Sequence, residues 1–226
     1  MNYRLIRLLV VVFMVSGFLA NCNMQAQKVK AGVVAFYNLE NLFDTLDTHN
    51  VLDTEFTPES PKLWNSERYW QKIDQMASVI AQLGAHEKVP GPAVIGVSEI
   101  ENKEVLVDLV NSPRLKALNY QIIHYHSPDK RGIDVAMLYQ PRYFTVTNTR
   151  SVPLFIYDEE GERIYTRDQL QVSGLFDGEP MHFIVNHWPS RRGGEEGSSS
   201  LRNSAARLTR SLVDSIAKIE KDAKVI

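Results

Sequence analysis

The spacing of apolar and polar positions predicts alternating strands and helices along most of the chain. Continuous apolar runs predict strands at residues 33–37 and 92–99, and the second run is apolar on both faces, so we expect it to be covered on both. Apolar residues at spacings of three and four predict helices at 64–84, 102–111 and 204–218. Strands and helices are therefore mixed along one chain.

The middle of the chain adds consecutive strands. Asp177 and Gly178 suit a tight turn with positive backbone φ angles, which predicts a hairpin between the apolar runs around them. The last four residues resemble the start of another strand. Residues 44–65 contain too few apolar positions for a regular element. Three further strands are predicted at 120–126, 133–139 and 143–149. This order favours a layered α/β sandwich containing hairpins over a doubly wound parallel sheet.

The first 26 residues have the pattern of a secretory signal peptide, followed by one domain at 27–226. A basic segment, 1–7, precedes an apolar segment, 8–20, that is short for a membrane span. Two processing routes stay open: cleavage after Ala26, which we favour, or acylation of Cys22 as the first residue of a lipoprotein. Cys22 is the only cysteine, so neither route leaves a free thiol or a disulfide in the domain. We expect export to the periplasm or the outside of the cell, and no stable membrane span after processing.

Composition and charge limit the classes of function. The 226 residues are 44% hydrophobic, enough for a sizeable core. The chain has 25 Lys and Arg against 27 Asp and Glu, a formal net charge of −2, so it lacks a strong basic field for non-specific binding of nucleic acid. An anionic substrate would have to be held by a local site or by a metal ion.

Four polar residues lie where apolar strands begin or end: Asn38, Glu99, Asp134 and His187. Singly, each also has a structural interpretation, as a turn, helix-start, edge or bend residue. Together they would meet at one rim, because strands place their ends together at the edge of a sheet. Carboxylate and amide oxygens suit Mg²⁺ or Ca²⁺, and a histidine held by an aspartate suits proton transfer or contact with a phosphate oxygen.

Five segments in order resemble the endonuclease/exonuclease/phosphatase superfamily of metal-dependent phosphodiesterases, in its secreted bacterial branch. The segments are YNLENLF, VIGVSEIEN, KRGIDVAMLY, TRDQLQV and VNHWPSR, and the resemblance covers residues 33–226. It implies a four-layer sandwich, two β-sheets face to face with helices outside. It also implies hydrolysis of phosphodiester or phosphomonoester bonds with Mg²⁺, or with Mn²⁺ or Ca²⁺.

The resemblance assigns expected roles to five residues. Glu99 matches the metal-binding glutamate of the family and Asn38 the asparagine beside it. His187 matches the catalytic histidine that contacts the scissile phosphate, and Asp134 the carboxylate that orients this histidine. Arg167 lies where a phosphate-binding arginine is expected.

Other polar residues carry weaker hypotheses. His124 and His126 lie two residues apart on a predicted strand and therefore share one face. A metal site needs a third ligand, so we expect both histidines to be surface residues. Arg191 and Arg192 lie in a polar, glycine-rich segment that predicts a flexible loop. They are interpreted either as contacts to further phosphates or as part of a solvated loop.

Two motifs that the resemblance implies are not found in these 226 residues. One is a Gly-Asp-x-Asn segment that positions the nucleophile, and the other is an Asp-His pair near the end of the family's domain. We therefore expect a domain lacking its C-terminal part, inactive as a hydrolase on its own. The alternative is a non-catalytic phosphate-binding module. DNA, RNA, a lipid head group and a sugar phosphate all remain candidate substrates, and no protein partner is implied.

Overall fold

The computed structural model describes residues 32–49, 51–191 and 194–226, which belong to one compact unit. The predicted signal peptide, Cys22 and Arg192 lie outside the described residues. The three α-helices of this part are α1 Ser66–Gln82, α2 Lys103–Asn111 and α3 Gly194–Ile219. The strands are β1 Val34–Leu42, β2 Val94–Ile100, β3 Gln121–His124, β4 Asp134–Tyr139, β5 Phe144–Val152, β6 Ile156–Tyr157, β7 Arg163–Ile164, β8 Gln169–Phe176 and β9 Glu179–Val185.

The strands form two main sheets and a small hairpin. The first sheet has the order β1-β2-β4-β3, in which β1 and β2 are parallel and the other pairs antiparallel. The second sheet has the antiparallel order β5-β8-β9, and β6 pairs with β7. Near the end of the chain Val225 forms a parallel bridge with His182 on β9, which confirms the predicted start of a strand there.

Successive residues of the sheets face different layers. On β4, Met137 points between the two sheets, whereas Leu138 packs toward α1 and α2. On β9, Phe183 lies between the sheets and Ile184 packs on α3. Because side chains alternate along a strand, this pattern gives four layers, helices, sheet, sheet and helix. The α/β sandwich predicted from the sequence is confirmed.

Local signals set the ends of several elements. The side chain of Asn65 accepts a hydrogen bond from the Arg68 N–H (3.1 Å) at the start of α1, and Asn102 does the same at the start of α2. Asp177 and Gly178 have φ angles of 49° and 90°, as the predicted tight hairpin turn requires. The tight turn that the sequence predicts at Asp177 and Gly178 is confirmed.

The structure differs most from the prediction at two element boundaries and in one hairpin. Helix α3 begins at Gly194, ten residues before the predicted start, because Glu195 and Glu196 lie in its first turn, where acidic groups stabilise a helix. Strand β1 continues five residues past its predicted end. The hairpin of β6 and β7 was not predicted, since strands of two residues show no periodicity. No helix in the described ranges is long and apolar enough to cross a membrane.

Candidate active site

Glu99 projects from an irregular point in the first sheet. The register of β2 shifts at this residue, which has a φ of 58°, and the register of β1 shifts beside it, where Glu40 and Asn41 have φ angles of 52° and 58°. The Asn41 N–H donates a hydrogen bond to Oε2 of Glu99 (3.1 Å). Bulges re-aim side chains at the edges of sheets. The two register shifts take Glu99 out of the alternation of side chains along β2, and the hydrogen bond from Asn41 holds its carboxylate in place.

Asn38 lies next to Glu99 in the register of the sheet. Its partner across the parallel pair of β1 and β2 is Ser98, the residue before Glu99. The side-chain oxygen of Asn38 accepts a hydrogen bond from the Glu40 N–H (2.7 Å), inside the bulge of β1. The structure therefore places the amide of Asn38 and the carboxylate of Glu99 at neighbouring positions of one rim.

His187 reaches this rim from the second sheet. It follows the end of β9 by two residues, and its Nε2 lies 3.4 Å from Oε1 of Glu99. The two side chains are 21% and 17% exposed, so solvent or a substrate can reach them. The pair joins the two sheets at one end of the sandwich.

The surroundings keep the His187 imidazole neutral. Burial lowers the pKa of His187, and the positive charges of Arg167 and Arg131 lower the pKa further, while Glu99 and Asp129 oppose the shift. Its Nδ1 is buried and has no hydrogen-bond partner among the described residues. A neutral imidazole can donate one N–H and accept at its other nitrogen.

Arg167 is committed to the backbone that carries His187. Its Nε donates to the carbonyl oxygen of His187 (3.1 Å), and one terminal nitrogen donates to the carbonyl oxygen of Trp188 (2.8 Å). The other terminal nitrogen pairs with Asp129 at 3.0 Å, and both side chains are nearly fully buried. The phosphate-binding role of Arg167 stays a prediction, and what the structure shows is a guanidinium that clamps the His187 segment.

Asp134 does not have the contact that its expected role requires. Its Oδ2 accepts hydrogen bonds from His124 Nε2 (2.8 Å) and His126 Nδ1 (3.1 Å), and its Oδ1 accepts from the N–H and hydroxyl of Ser127. No hydrogen bond in the described part of the chain joins it to His187. Although Asp134 lies opposite Ile100 at the same rim, its carboxylate faces the connection between β3 and β4. It orients other histidines than the expected one.

The expectation that His124 is a surface residue is wrong. Its side chain is 3% exposed, whereas that of His126 is 73% exposed. Strand β3 ends at His124, so the chain can turn there and bring both rings to Asp134. The spacing of the two histidines was visible in the sequence, but the third member of the cluster depends on the course of the β3–β4 connection.

Sequence reasoning missed three charged residues beside the centre. Asp129 and Arg131 act on the pKa of His187, and they precede β4 in a segment without apolar periodicity. Glu101 is 5% exposed, and burial raises its pKa to about 7. Its carboxylate accepts hydrogen bonds from the Asp44 N–H (2.7 Å) and the Thr48 hydroxyl (3.0 Å). The second glutamate of VSEIEN was the available signal for Glu101.

The donors at the rim fit a hard divalent cation. The carboxylate of Glu99 and the amide oxygen of Asn38 are the oxygen ligands that Mg²⁺, Mn²⁺ and Ca²⁺ take up. Glu99 contacts the neutral ring of His187 and forms no salt bridge with a lysine or arginine among the described residues, although Lys72 acts on it at longer range. Glu99 and Asn38 are therefore the residues that would hold the cation.

The family of this chain follows from its sequence. The profile of the Endonuclease/Exonuclease/phosphatase family matches residues 33–226, which is most of the chain. The chain therefore belongs to this family. A search of curated proteins finds no match.

Three solved structures are similar to this chain, and the two with a TM-score of 0.50 share its fold. An endonuclease/exonuclease/phosphatase from Bacteroides vulgatus is 18% identical, with a TM-score of 0.50, over 87% of this chain and 65% of the other. A mannosyl-6-phosphatase from Bacteroides thetaiotaomicron is 16% identical, with a TM-score of 0.50, over 86% and 63%. TDP2 from D. rerio, complexed with a single-strand DNA product, is 13% identical, with a TM-score of 0.48, over 87% and 59%. The chain spans less than two thirds of the length of each.

Proposed function

We propose that the rim formed by Glu99, Asn38 and His187 is the centre of a metal-dependent hydrolase of phosphoester bonds. Membership of the endonuclease/exonuclease/phosphatase family supports phosphoester chemistry in general. The observation that carries the proposal is the 3.4 Å contact between Glu99 and His187, which joins two sheets at a partly exposed rim. Mg²⁺ is the proposed cation, with Mn²⁺ or Ca²⁺ as alternatives.

Each residue has a task that its surroundings support. Glu99 and Asn38 would hold the cation. When bound, the cation supplies positive charge that offsets the negative charge of the phosphate. His187, neutral at pH 7, donates a hydrogen bond from its ring to a phosphoryl oxygen, where donors stabilise developing charge. Arg167 fixes the backbone of His187, so the ring is aligned before a substrate arrives.

A small phosphoester is the substrate class that we propose first. The formal net charge of −2 provides no extended basic surface for a long nucleic acid. The mannosyl-6-phosphatase among the similar structures makes a sugar phosphate a candidate. Nucleic acid remains the second candidate, and a nuclease assay decides between them.

We expect residues 27–226 alone to be inactive, so the test uses the purified full-length product of the gene. It measures Mg²⁺-dependent hydrolysis of a phosphodiester and a phosphomonoester, each carrying a chromogenic leaving group. Inorganic phosphate binding is measured in parallel. We expect His187→Ala to lower turnover by about 10²–10³-fold, the range for loss of one stabilising donor. His86→Ala is the matched control, because His86 is 98% exposed and is not part of the rim.

Each result separates the candidates. Mg²⁺-dependent hydrolysis that is lost in His187→Ala and kept in His86→Ala supports the proposal. Phosphate binding without hydrolysis would favour the non-catalytic phosphate-binding module over an active hydrolase. Hydrolysis that persists in His187→Ala, or the absence of both hydrolysis and phosphate binding, would overturn the assignment of this centre.

We further propose that the protein is exported. The support is the basic, apolar and polar order of its first 27 residues. Mass spectrometry of the N-terminus in cells distinguishes the two routes, because a start at Gln27 indicates cleavage after Ala26 and an acylated Cys22 indicates a lipoprotein. An intact Met1 on cytoplasmic protein would contradict both.

A further inference from the structure

A second cluster of metal-ligating side chains lies on the connection between β3 and β4. His124 is the last residue of β3, His126 follows two residues later, and Asp134 is the first residue of β4. Because β3 and β4 are antiparallel neighbours, the connection folds back and brings all three side chains together. Glu99 and His187 are not among the three residues.

The geometry of the cluster is close to that of a metal site. His124 Nε2 lies 2.8 Å and His126 Nδ1 lies 3.1 Å from the same oxygen of Asp134. Two ligands about 2.0–2.1 Å from a zinc ion, at about 90–110° to each other, are about 2.9–3.4 Å apart. The two measured distances are therefore near those of adjacent ligands.

Only a small movement is needed to bring the two imidazole nitrogens to the separation of adjacent metal ligands. The ligand atoms all lie within 4.8 Å of one another, and the two imidazole planes are 83° apart. His126 is 73% exposed, so its ring can turn toward that of His124 without disturbing the core. His124 and Asp134 are buried and form the fixed part of the cluster.

Hydrogen bonds from Ser127 orient the carboxylate of Asp134. The N–H and hydroxyl of Ser127 donate to Oδ1 of Asp134 at 2.8 and 2.6 Å, which leaves Oδ2 as the oxygen that both imidazoles face. Hydrogen bonds of this kind orient ligands in metal sites. His126 and Asp134 also line a cavity of about 140 Å³, which gives an open position beside them.

We propose that His124, His126 and Asp134 bind a first-row transition metal ion, with Zn²⁺ as the first candidate. Two imidazole nitrogens and one carboxylate oxygen are a donor set for zinc and its neighbours, whereas Mg²⁺ and Ca²⁺ prefer oxygen alone. The ion would hold residues 125–133, and this connection carries Asp129, the partner of Arg167. Metal bound here would stabilise the segment that packs against the rim.

The competing explanation is a hydrogen-bonded cluster that binds no metal. Calorimetric titration of the purified chain with Zn²⁺ alone decides between the two. We expect the cluster to bind one Zn²⁺ with a Kd of about 1–10 µM, and His126→Ala to weaken this binding at least about tenfold. His86→Ala is the control for loss of an exposed histidine, and Glu99→Gln shows whether the rim contributes. Both should keep the Zn²⁺ bound at the histidine cluster, and a second Zn²⁺ that is lost only in Glu99→Gln would belong to the rim.

A structural readout accompanies the affinity. His126 is exposed, so His126→Ala should fold, and a melting curve without zinc verifies this. Zinc should raise the Tm of the unchanged chain but not that of His126→Ala. Anomalous scattering at the zinc edge should place the ion at the three side chains. Absence of binding at about 100 µM Zn²⁺, equal affinity in His126→Ala, or loss of all binding in Glu99→Gln alone would overturn the proposal.

Discussion

Replacing Arg167 with methionine tests whether this residue clamps the His187 segment. Methionine keeps much of the apolar stem but removes every donor, so Asp129 loses its buried partner at 3.0 Å. The carbonyl oxygens of His187 and Trp188 lose their donors as well. Removing one partner of a buried ion pair costs about 3–5 kcal/mol. Asp129 keeps Arg131 at 3.5 Å, so we expect about 4 kcal/mol in total.

The assay is thermal unfolding followed by circular dichroism. A loss of about 4 kcal/mol lowers the Tm of a chain of this size by roughly 8–16 °C. Arg210→Met is the matched control, because the ion pair of Arg210 with Asp214 is largely exposed and adds little to stability. The double variant Arg167→Met with Asp129→Asn should be less destabilised than the sum of the two single changes, because the partners share one interaction.

One result would refute this reasoning. If Arg167→Met kept its Tm within about 2 °C of the unchanged chain and only weakened phosphate binding, Arg167 would act as the phosphate-binding residue that the sequence resemblance predicts. Additive effects in the double variant would likewise show that Arg167 and Asp129 do not stabilise each other.

Two further variants test the packing of the second sheet. Burial raises the pKa of Asp168, so the folded protein binds its proton more tightly, and the resulting stability is lost as pH rises through the folded pKa. The Tm of Asp168→Asn, measured relative to that of the unchanged chain, should therefore rise from pH 4 to pH 7. The same Tm difference at both pH values would contradict this reasoning. Gly174→Ala would place Cβ 2.3 Å from the Thr145 carbonyl oxygen, so we expect a loss of about 1–3 kcal/mol in denaturant titrations. Gly197→Ala, whose Cβ meets nothing within 4 Å, is the control, and equal stabilities would contradict the clash.

The sequence predicts the layers of the fold because they depend on short-range periodicity. The apolar run within residues 133–139 and the three-and-four spacing of α1 are complete within each segment, so the types of both elements are predicted correctly. The start of α3 is not predicted correctly, because a segment rich in glycine and serine has low helix propensity. Tertiary packing overrides this propensity, and Ser198 in the first turns is 1% exposed.

The sequence predicts which residues lie at the rim, because they lie at strand ends, but it does not predict how their side chains pair. Glu99 and His187 were expected together because each lies at the end of an apolar strand, and the structure places them 3.4 Å apart. The partners of Asp134 and Arg167 depend on how the β3–β4 connection folds, and no periodic pattern in residues 125–133 encodes its course. The pairing of side chains inside the site therefore required the structure.

The binding of Mn²⁺, an alternative to Mg²⁺ that is visible by electron paramagnetic resonance, tests the central claim most directly. The measurement compares Glu99→Gln with Glu160→Gln, an exposed control, and both proteins carry His126→Ala so that the histidine cluster does not contribute. We expect the Glu160→Gln protein to bind one Mn²⁺ and the Glu99→Gln protein to bind it at least about tenfold more weakly, a difference of about 1.4 kcal/mol. Equal Mn²⁺ affinity in the two proteins would contradict a metal-dependent phosphoester centre at Glu99.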